Sequence, residues 1–271
     1  MAIVLRIGWV LAFLIAASGS AGALNDPSRS DGLHSRVRLL SGGVMDGRRL
    51  AGIEIALDPG FKTYWRNPGE SGLPPRLDWS ASDNVADVTV LWPAPTRIED
   101  AGGVAYVYSH EIVLPVLVTP RVPSRPVRLA LSVDYGICRD ICIPVHADIA
   151  RDLAGDDALL VLHQALARVP KPEAIGSAAS LAILSVTREP GAKATYTVAT
   201  RAPAGHPPSL FAEGPDNWYV ATSAPDDRNR FTLTIDETLP AQARAPVLLT
   251  LAAGDQAVAT EVVLDGSGSS P

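Results

Sequence analysis

The chain has 271 residues, is 47% hydrophobic, and carries a formal net charge of −6 at pH 7. The chain is acidic and has no basic cluster. We therefore do not expect it to bind nucleic acid or anionic membrane surfaces. Its 23 prolines and 22 glycines lie between short runs of Val, Thr, Ile and Leu, which favours strands and turns over long helices. The length suits two domains of ordinary size.

The first residues predict an export signal. Arg6 precedes an apolar run at Ile7–Ala17, and small residues follow that end in Ala21–Ala23. A charge, an apolar core and a small-residue cleavage site are the parts of a secretory signal peptide. The core is shorter than the ~20 residues that a membrane span needs. We therefore expect residues 1–23 to be removed, and the mature protein to lie in a bacterial periplasm without a membrane span.

A first β domain is predicted for residues 25–155. Within it, Arg36–Leu57 is expected to form two strands joined by a turn at Ser41–Gly43. Phe61–Pro75 is rich in aromatic residues, glycine and proline, and is expected to be a long irregular loop. Further strands are predicted at Val85–Leu91, Ala105–Tyr108, Ile112–Thr119, Val127–Ile137 and Cys142–Ile149.

A helix and a linker are predicted for residues 156–178, and a second β domain for residues 179–265. Leucines at helical spacing and two leading aspartates predict the helix at Asp156–Val169, and Pro170–Pro172 is expected to start the linker. Residues 266–271 are expected to be a flexible tail. The seven strands of the second domain are predicted near Leu181–Arg188, Thr195–Thr200, Ser209–Ala212, Trp218–Thr222, Arg230–Ile235, Val247–Ala253 and Ala257–Leu264.

This pattern predicts a mostly β fold. Seven short strands at such spacing are typical of an immunoglobulin-like sandwich. The expected architecture is therefore two immunoglobulin-like β-sandwich domains joined by a short helix and linker.

The two cysteines of the chain, Cys138 and Cys142, lie four residues apart. In an oxidising compartment such a pair is normally a disulfide, a redox couple or a metal site. Strand alternation places both on the more polar faces of consecutive strands, and a hairpin turn would bring them within bonding reach. A reactive cysteine is expected to be partly exposed, as this face predicts. The very short loop would gain little chain-entropy stabilisation from a crosslink, which favours exchange over a structural role.

From the residues alone, three interpretations of the pair stay open. The first is thiol–disulfide exchange with Cys138 and Cys142 as catalytic residues. The second is a structural disulfide in a non-catalytic binding module. The third is a copper site, because thiolates suit Cu(I) and imidazole suits either copper state. The Cys-x3-Cys spacing followed by proline resembles the metal loop of SCO-type copper chaperones. His146, on the face of Cys142, or His110, in the preceding loop, would complete such a site; no other cofactor is expected.

Four segments resemble the N-terminal periplasmic domain of the DsbD thiol:disulfide interchange proteins. The similarity is greater to their ScsB-like relatives, which are linked to copper tolerance. It covers about residues 36–150, and the second domain resembles the extra β domain of ScsB-like chains more weakly. The segments are Gly60–Pro75 (GFKTYWRNPGESGLPP), Val90–Pro95 (VLWPAP), Tyr108 with Ile112–Val116 (IVLPV), and Tyr135–Pro144 (YGICRDICIP).

The resemblance implies an immunoglobulin-like first domain whose active cysteines are Cys138 and Cys142. It also implies a relay that takes electrons from a membrane-embedded thiol transporter and passes them to periplasmic thioredoxin-like or substrate proteins. In DsbD a cap loop with an aromatic residue shields the site. The matching stretch here, Glu99–Gly103, has no aromatic residue, and Tyr106 or the Tyr64–Trp65 pair are the candidates to replace it. Because we expect no transmembrane or thioredoxin domain in the chain, we expect either a separate membrane partner or a role that needs none.

Overall fold

The computed structural model describes residues 26–100, 102–191, 193–237 and 244–266. The predicted signal peptide, residues 1–23, lies outside these ranges, as does the predicted tail beyond Gly266. The described chain is mostly β, as predicted, with nineteen strands and one helix within those ranges. That helix is not long and apolar enough to cross a membrane.

The first sandwich is built by strands β1 to β11. Their bounds are Arg29–Gly32, Ser35–Met45, Arg48–Leu57, Lys62–Gly69, Arg76–Asp78, Val85–Val90, Thr96–Asp100, Gly103–Ser109, Glu111–Pro120, Arg128–Cys138 and Cys142–Asp152. One sheet has the order β1-β2-β3-β9-β6, and the other has the order β11-β10-β4-β8-β7, with β5 paired to β10. Alternate side chains of both sheets meet in one buried core. Its fully buried members include Leu39, Ile53, Trp65, Val116, Leu129, Val133 and Ile137.

The helix α1 (Leu159–Ala167) covers the outer face of the first of these sheets. Leu162 is fully buried there against Leu40, Leu50 and Leu117. The helix predicted over Asp156–Val169 is thus present but shorter. It gives β2, β3 and β9 a second apolar layer, which is why these strands are buried on both faces along much of their length.

The second sandwich is built by strands β12 to β19. Their bounds are Lys171–Pro172, Ala182–Arg188, Ala194–Arg201, Ser209–Glu213, Trp218–Thr222, Arg230–Glu237, Arg244–Ala253 and Gln256–Asp265. One sheet has the order β12-β19-β18-β15, and the other has the order β13-β14-β17-β16. Each of the seven strands predicted here is present. The architecture is that of two immunoglobulin-like β-sandwiches, as predicted.

Several local predictions were wrong. The turn of the first hairpin is at Asp46–Gly47, not at Ser41–Gly43. Both turn residues have positive φ, as a two-residue hairpin turn of the Asp-Gly type requires. Ser41–Gly43 instead lies at a β-bulge within the same pair of strands. Lys171–Pro172, predicted to start the linker, pairs in parallel with β19.

The stretch Phe61–Pro75 is not a loop throughout, because its first half forms β4. Pro68 and Gly69 concealed this strand in the sequence, although β4 is regular only as far as Tyr64 and is then bulged. The strands β1, β5 and β7 were not predicted. They have between three and five residues, too few to show a period-2 pattern.

Candidate functional site

The two cysteines end and begin the two strands of one hairpin. β10 and β11 pair in register over eleven residue pairs, the last of which is Cys138 with Cys142. A three-residue turn, Arg139–Ile141, connects them. The two sulfurs form a disulfide, with an S–S distance of 2.01 Å and a Cα–Cα distance of 4.2 Å. The predicted hairpin and its disulfide are therefore present.

The two cysteines differ in exposure, which strand alternation did not predict. Cys138 is only 3% exposed, whereas Cys142 is exposed to solvent. Cys138 does face away from the main core, as the pattern indicated. However, a small second cluster formed by Tyr64, Ala105 and Val107 covers it on that outer face. An attacking thiol can thus reach the sulfur of Cys142 far more easily than that of Cys138.

The hydroxyl of Tyr64 lies against both sulfurs. It donates a hydrogen bond to Cys138 Sγ at 2.8 Å and lies 3.4 Å from Cys142 Sγ. Burial, with a smaller contribution from the negative charge of Asp100, raises the pKa of Tyr64 above its usual 10.0. The hydroxyl therefore stays protonated at neutral pH and remains a donor to sulfur. Of the aromatic candidates named from the sequence, Tyr64 contacts the pair, whereas Trp65 and Tyr106 lie in the main core.

Charged side chains surround the hairpin end. Lys62 on β4 pairs with Cys138 across the two strands, and its ammonium lies 3.4 Å from Asp100. In the turn, Arg139 pairs with Asp140 at 3.0 Å, so these opposite charges largely offset each other. The guanidinium of Arg139 also lies 5.1 Å from the ring centre of Phe61. Lys62 and Arg139 are thus each paired with a carboxylate, and the hydrogen bond from Tyr64 is the contact that favours a thiolate at Cys138.

A short run of chain, Arg66–Leu73, forms the outer layer over the site, and we call it the covering segment. A Cβ atom on Gly72 would lie 2.5 Å from Cδ1 of Tyr64, and one on Gly136 would lie 2.8 Å from Cβ of Leu73. Glycine at both positions therefore lets the segment approach Tyr64 and β10 closely. Leu73 itself stays partly exposed beside the disulfide, as does Ile141 in the turn.

The histidine of the proposed copper site lies apart from the cysteines. His146 pairs with Asp134 in the β10–β11 register, four residues along the strand from Cys142. At about 3.3 Å per residue this is about 13 Å of strand, too far for one metal ion to bind both side chains. His146 instead bonds Asp134 at 2.9 Å and Asp148 at 3.3 Å. Over the described ranges, no three His, Cys, Asp or Glu side chains form a group that could hold a metal ion.

His110, the second histidine considered, occupies the turn between β8 and β9 with a φ of 65°. His110 is exposed to solvent, and no group of three possible metal ligands among the described residues includes it. Beside His146, a cavity of about 310 Å³ follows the outer face of the hairpin. The cavity lies between β10–β11 and the end of the covering segment, lined by residues such as Leu73, Pro74, Gly136 and Pro144.

Sequence reasoning found the cysteines and named Tyr64, but it missed Lys62 and the covering segment. No signal in the sequence marked Lys62, because its place opposite Cys138 depends on the pairing of β4 with β10. The covering segment gave no signal either, since its position depends on contacts with distant parts of the chain.

Comparisons with known proteins agree with this geometry. Residues 39–154 match the family model described as thiol:disulfide interchange protein DsbD, N-terminal. The crystal structure of the N-terminal periplasmic domain of ScsB from Proteus mirabilis is similar, with a TM-score of 0.68 and 22% identity. That match covers 87% of this chain and 95% of the ScsB domain, so the two share their fold.

Two further matches are too dissimilar to support any argument. The structure of InvD from Yersinia pseudotuberculosis has a TM-score of 0.18 and 14% identity, covering 83% of this chain and 57% of InvD. An endo-fucoidan hydrolase of glycoside hydrolase family 107 has a TM-score of 0.24 and 10% identity, covering 77% of this chain and 34% of the hydrolase. No curated protein matches the sequence.

Proposed function

We propose that this chain, whose residues 39–154 belong to the family of DsbD N-terminal domains, relays electrons by thiol–disulfide exchange at Cys138 and Cys142. One observation carries the proposal: the disulfide joins an exposed sulfur to a buried one, and the buried sulfur accepts a hydrogen bond from Tyr64. This arrangement suits exchange, because one sulfur is open to attack and the other is prepared to leave as a thiolate.

A purely structural role is less well supported. The hairpin already fixes Cys138 opposite Cys142 through the eleven residue pairs of β10 and β11. The disulfide closes a loop of only a few residues, so it removes little entropy from the unfolded chain. A bridge that adds little stability, with one sulfur at the surface, is typical of a reversible disulfide.

The exchange step follows from the exposure of the two sulfurs. A partner thiolate attacks Cys142 Sγ, the Cys138–Cys142 bond breaks, and its electron pair goes to Cys138 Sγ. The Tyr64 hydroxyl donates a hydrogen bond to the new thiolate and stabilises it. A second partner thiol then attacks the mixed disulfide and releases Cys142. The partner is oxidised to a disulfide, and Cys138 and Cys142 are reduced to a dithiol. The reverse sequence passes the electrons on.

The partners proposed are a membrane-embedded thiol transporter as electron donor and periplasmic thioredoxin-like or substrate proteins as acceptors. The family of the first domain supports both. A periplasmic location is proposed from the same family and from the signal peptide expected in the sequence. The exposed Ile141, which directly precedes Cys142, and the exposed Leu73, which lies against Gly136 of β10, provide apolar surface for a transient partner.

Trapping in cells tests the proposal and the roles of the two sulfurs together. Cys138→Ala retains the exposed sulfur, so we expect it to accumulate mixed disulfides with partner proteins. Cys142→Ala retains only the buried sulfur and should capture about tenfold less, because reactivity requires access. Non-reducing gels and mass spectrometry of the captured proteins measure both.

The purified wild-type chain provides a second measurement. We expect a reduction potential above about −300 mV, the value below which structural disulfides typically lie. A more negative potential, or failure of Cys138→Ala to capture any partner, would contradict the exchange function and favour a structural bridge.

A further inference from the structure

The covering segment is bonded to the second sandwich at three of its residues. Arg66 forms a two-pronged ion pair with Glu213, with N–O distances of 2.8 and 2.7 Å. The side-chain amide of Asn67 donates to the carbonyl oxygen of Ala212 at 3.2 Å. The Tyr219 hydroxyl donates to Glu70 at 2.7 Å. The segment is therefore held from the other half of the molecule.

Glu70 connects this attachment to the cysteine site. One carboxylate oxygen accepts the bond from Tyr219, and the other accepts the backbone N–H of Val104 at 2.8 Å. These two bonds, with that from Val104 the larger, hold the pKa of Glu70 below its usual value. Glu70 is thus a charged acceptor that joins β8 to the second sandwich. Two residues further on, Gly72 contacts the ring of Tyr64, whose hydroxyl is bonded to Cys138.

A buried contact lies beneath these surface bonds. Phe211, in the middle of β15, the strand that contributes Glu213, is 0% exposed and packs within the core of the first sandwich. Its ring centre lies 5.6 Å from that of Trp65 and 4.9 Å from that of Tyr106, both edge-on. Neighbouring side chains of β4 therefore make different contacts. Tyr64 contacts the disulfide, whereas Trp65 contacts Phe211 of the second sandwich.

Building on the exchange function proposed above, we propose that the second sandwich is a positioning element for the disulfide. Through Glu213 and Tyr219 it holds the covering segment against Tyr64, and this contact keeps Tyr64 over Cys138, so that thiols attack the disulfide at Cys142 alone. Neither residue touches a sulfur, so both act through the segment. This assigns to the second sandwich, which has no cysteine, control of access to the site.

Two substitutions in the full chain release the segment without altering the site itself. Glu213→Gln removes the charge that pairs with Arg66, and Tyr219→Phe removes the hydroxyl bonded to Glu70. Release of the segment adds attack at Cys138 to the attack at Cys142 that is already possible. We therefore expect each variant to increase the rate at which dithiothreitol reduces the disulfide by about threefold, and the pair together by about tenfold, because loss of one net hydrogen bond raises the population with Cys138 uncovered by factors of this size. The equilibrium reduction potential should stay at the wild-type value, because the sulfurs and Tyr64 are unchanged.

Tyr196→Phe is the matched control. The Tyr196 hydroxyl donates to the carbonyl oxygen of Asp265 at 2.7 Å, within the second sandwich and away from the covering segment. The same hydroxyl also accepts the backbone N–H of Asp265, so Tyr196→Phe removes at least as many bonds from the second sandwich as Tyr219→Phe does. Its reduction rate should nevertheless equal that of the wild type. A double variant with the wild-type rate overturns the proposal. So does an equal acceleration in Tyr196→Phe, since general loosening of the second sandwich would then be the cause.

The reduction rate with dithiothreitol does not depend on a cellular partner. Failure of this experiment is therefore distinct from failure of the trapping experiment. Normal trapping by Cys138→Ala together with an unchanged rate in the double variant would leave the exchange function standing and remove the positioning role.

Discussion

Strands β10 and β14 occupy comparable central places in the two sandwiches, yet their burial differs. In β14, buried residues from Ala194 to Thr200 alternate regularly with half-buried ones. In β10 the same alternation runs from Leu129 to Asp134 and then stops, because Tyr135–Cys138 are all buried. Regular alternation means that one face packs on the core and the other meets solvent. Four buried residues in succession mean that both faces are covered.

The difference shows where the first sandwich has gained an extra layer. That layer is the covering segment with Tyr64, and it lies on the part of β10 that carries the disulfide. The second sandwich has no such layer over β14 and no cysteine. Its described residues instead contribute Phe211, Glu213 and Tyr219 to the first. The disulfide thus lies in one sandwich, and the other contacts that sandwich at a shared boundary.

The largest expected effect concerns the buried part of this boundary. Phe211→Ala removes a fully buried ring from the core of the first sandwich, and we expect it to lower the free energy of unfolding by about 3–5 kcal/mol. Because the lost contacts include Trp65 on β4, reduction of the disulfide by dithiothreitol should also accelerate. Urea unfolding and reduction kinetics measure the two effects.

Phe231→Ala is the control for that experiment. Phe231 is equally buried, but its contacts lie within the core of the second sandwich alone. Its loss of stability should be similar, whereas its reduction rate under native conditions should match that of the wild type. If both variants accelerated reduction equally, the boundary contact at Phe211 would have no special connection to the disulfide.

A smaller effect is expected from Tyr64→Phe, which removes only the hydroxyl in contact with sulfur. In the reduced protein this hydroxyl would stabilise the Cys138 thiolate, so its loss should raise the pKa of the Cys138 thiol by about one unit. The pH dependence of thiolate absorbance, measured in a Cys142→Ala background, reports that pKa directly. An unchanged pKa would show that Tyr64 only fills space over the sulfur.

The sequence predicted the strands that define both sandwiches because these strands are long and carry clear apolar patterns. The side-chain parity of β10 placed Ile137 toward the core and Cys138 away from it, and both placements were confirmed. The same parity cannot show whether the outward face stays open. Whether Cys138 is covered depends on Tyr64, Ala105 and Val107, which all lie more than thirty residues earlier in the chain.

The site residues show the same limit. Tyr64 was a candidate through a resemblance, whereas Lys62 is placed opposite Cys138 only by the pairing of β4 with β10. The contact of Glu70 with Tyr219 joins residues 149 positions apart. No local pattern encodes such a pair, because it arises only when two independently formed sandwiches pack together.

The smallest expected effect is a change in the pH dependence of stability, at the part of β10 that the covering segment does not cover. There, His146 pairs with Asp134 across the hairpin, and hydrogen bonds to Asp134 and Asp148 raise its pKa above 6.5. A raised pKa means that these bonds stabilise the folded state fully below about pH 6.5 and progressively less as pH rises through the folded value. His146→Ala should therefore reduce stability at pH 6 more than at pH 8. Asp134→Asn should shift the His146 pKa, followed by NMR titration, back toward 6.5. A His146 pKa that stayed unchanged in Asp134→Asn would mean that the aspartate across the hairpin does not bond the protonated ring in solution.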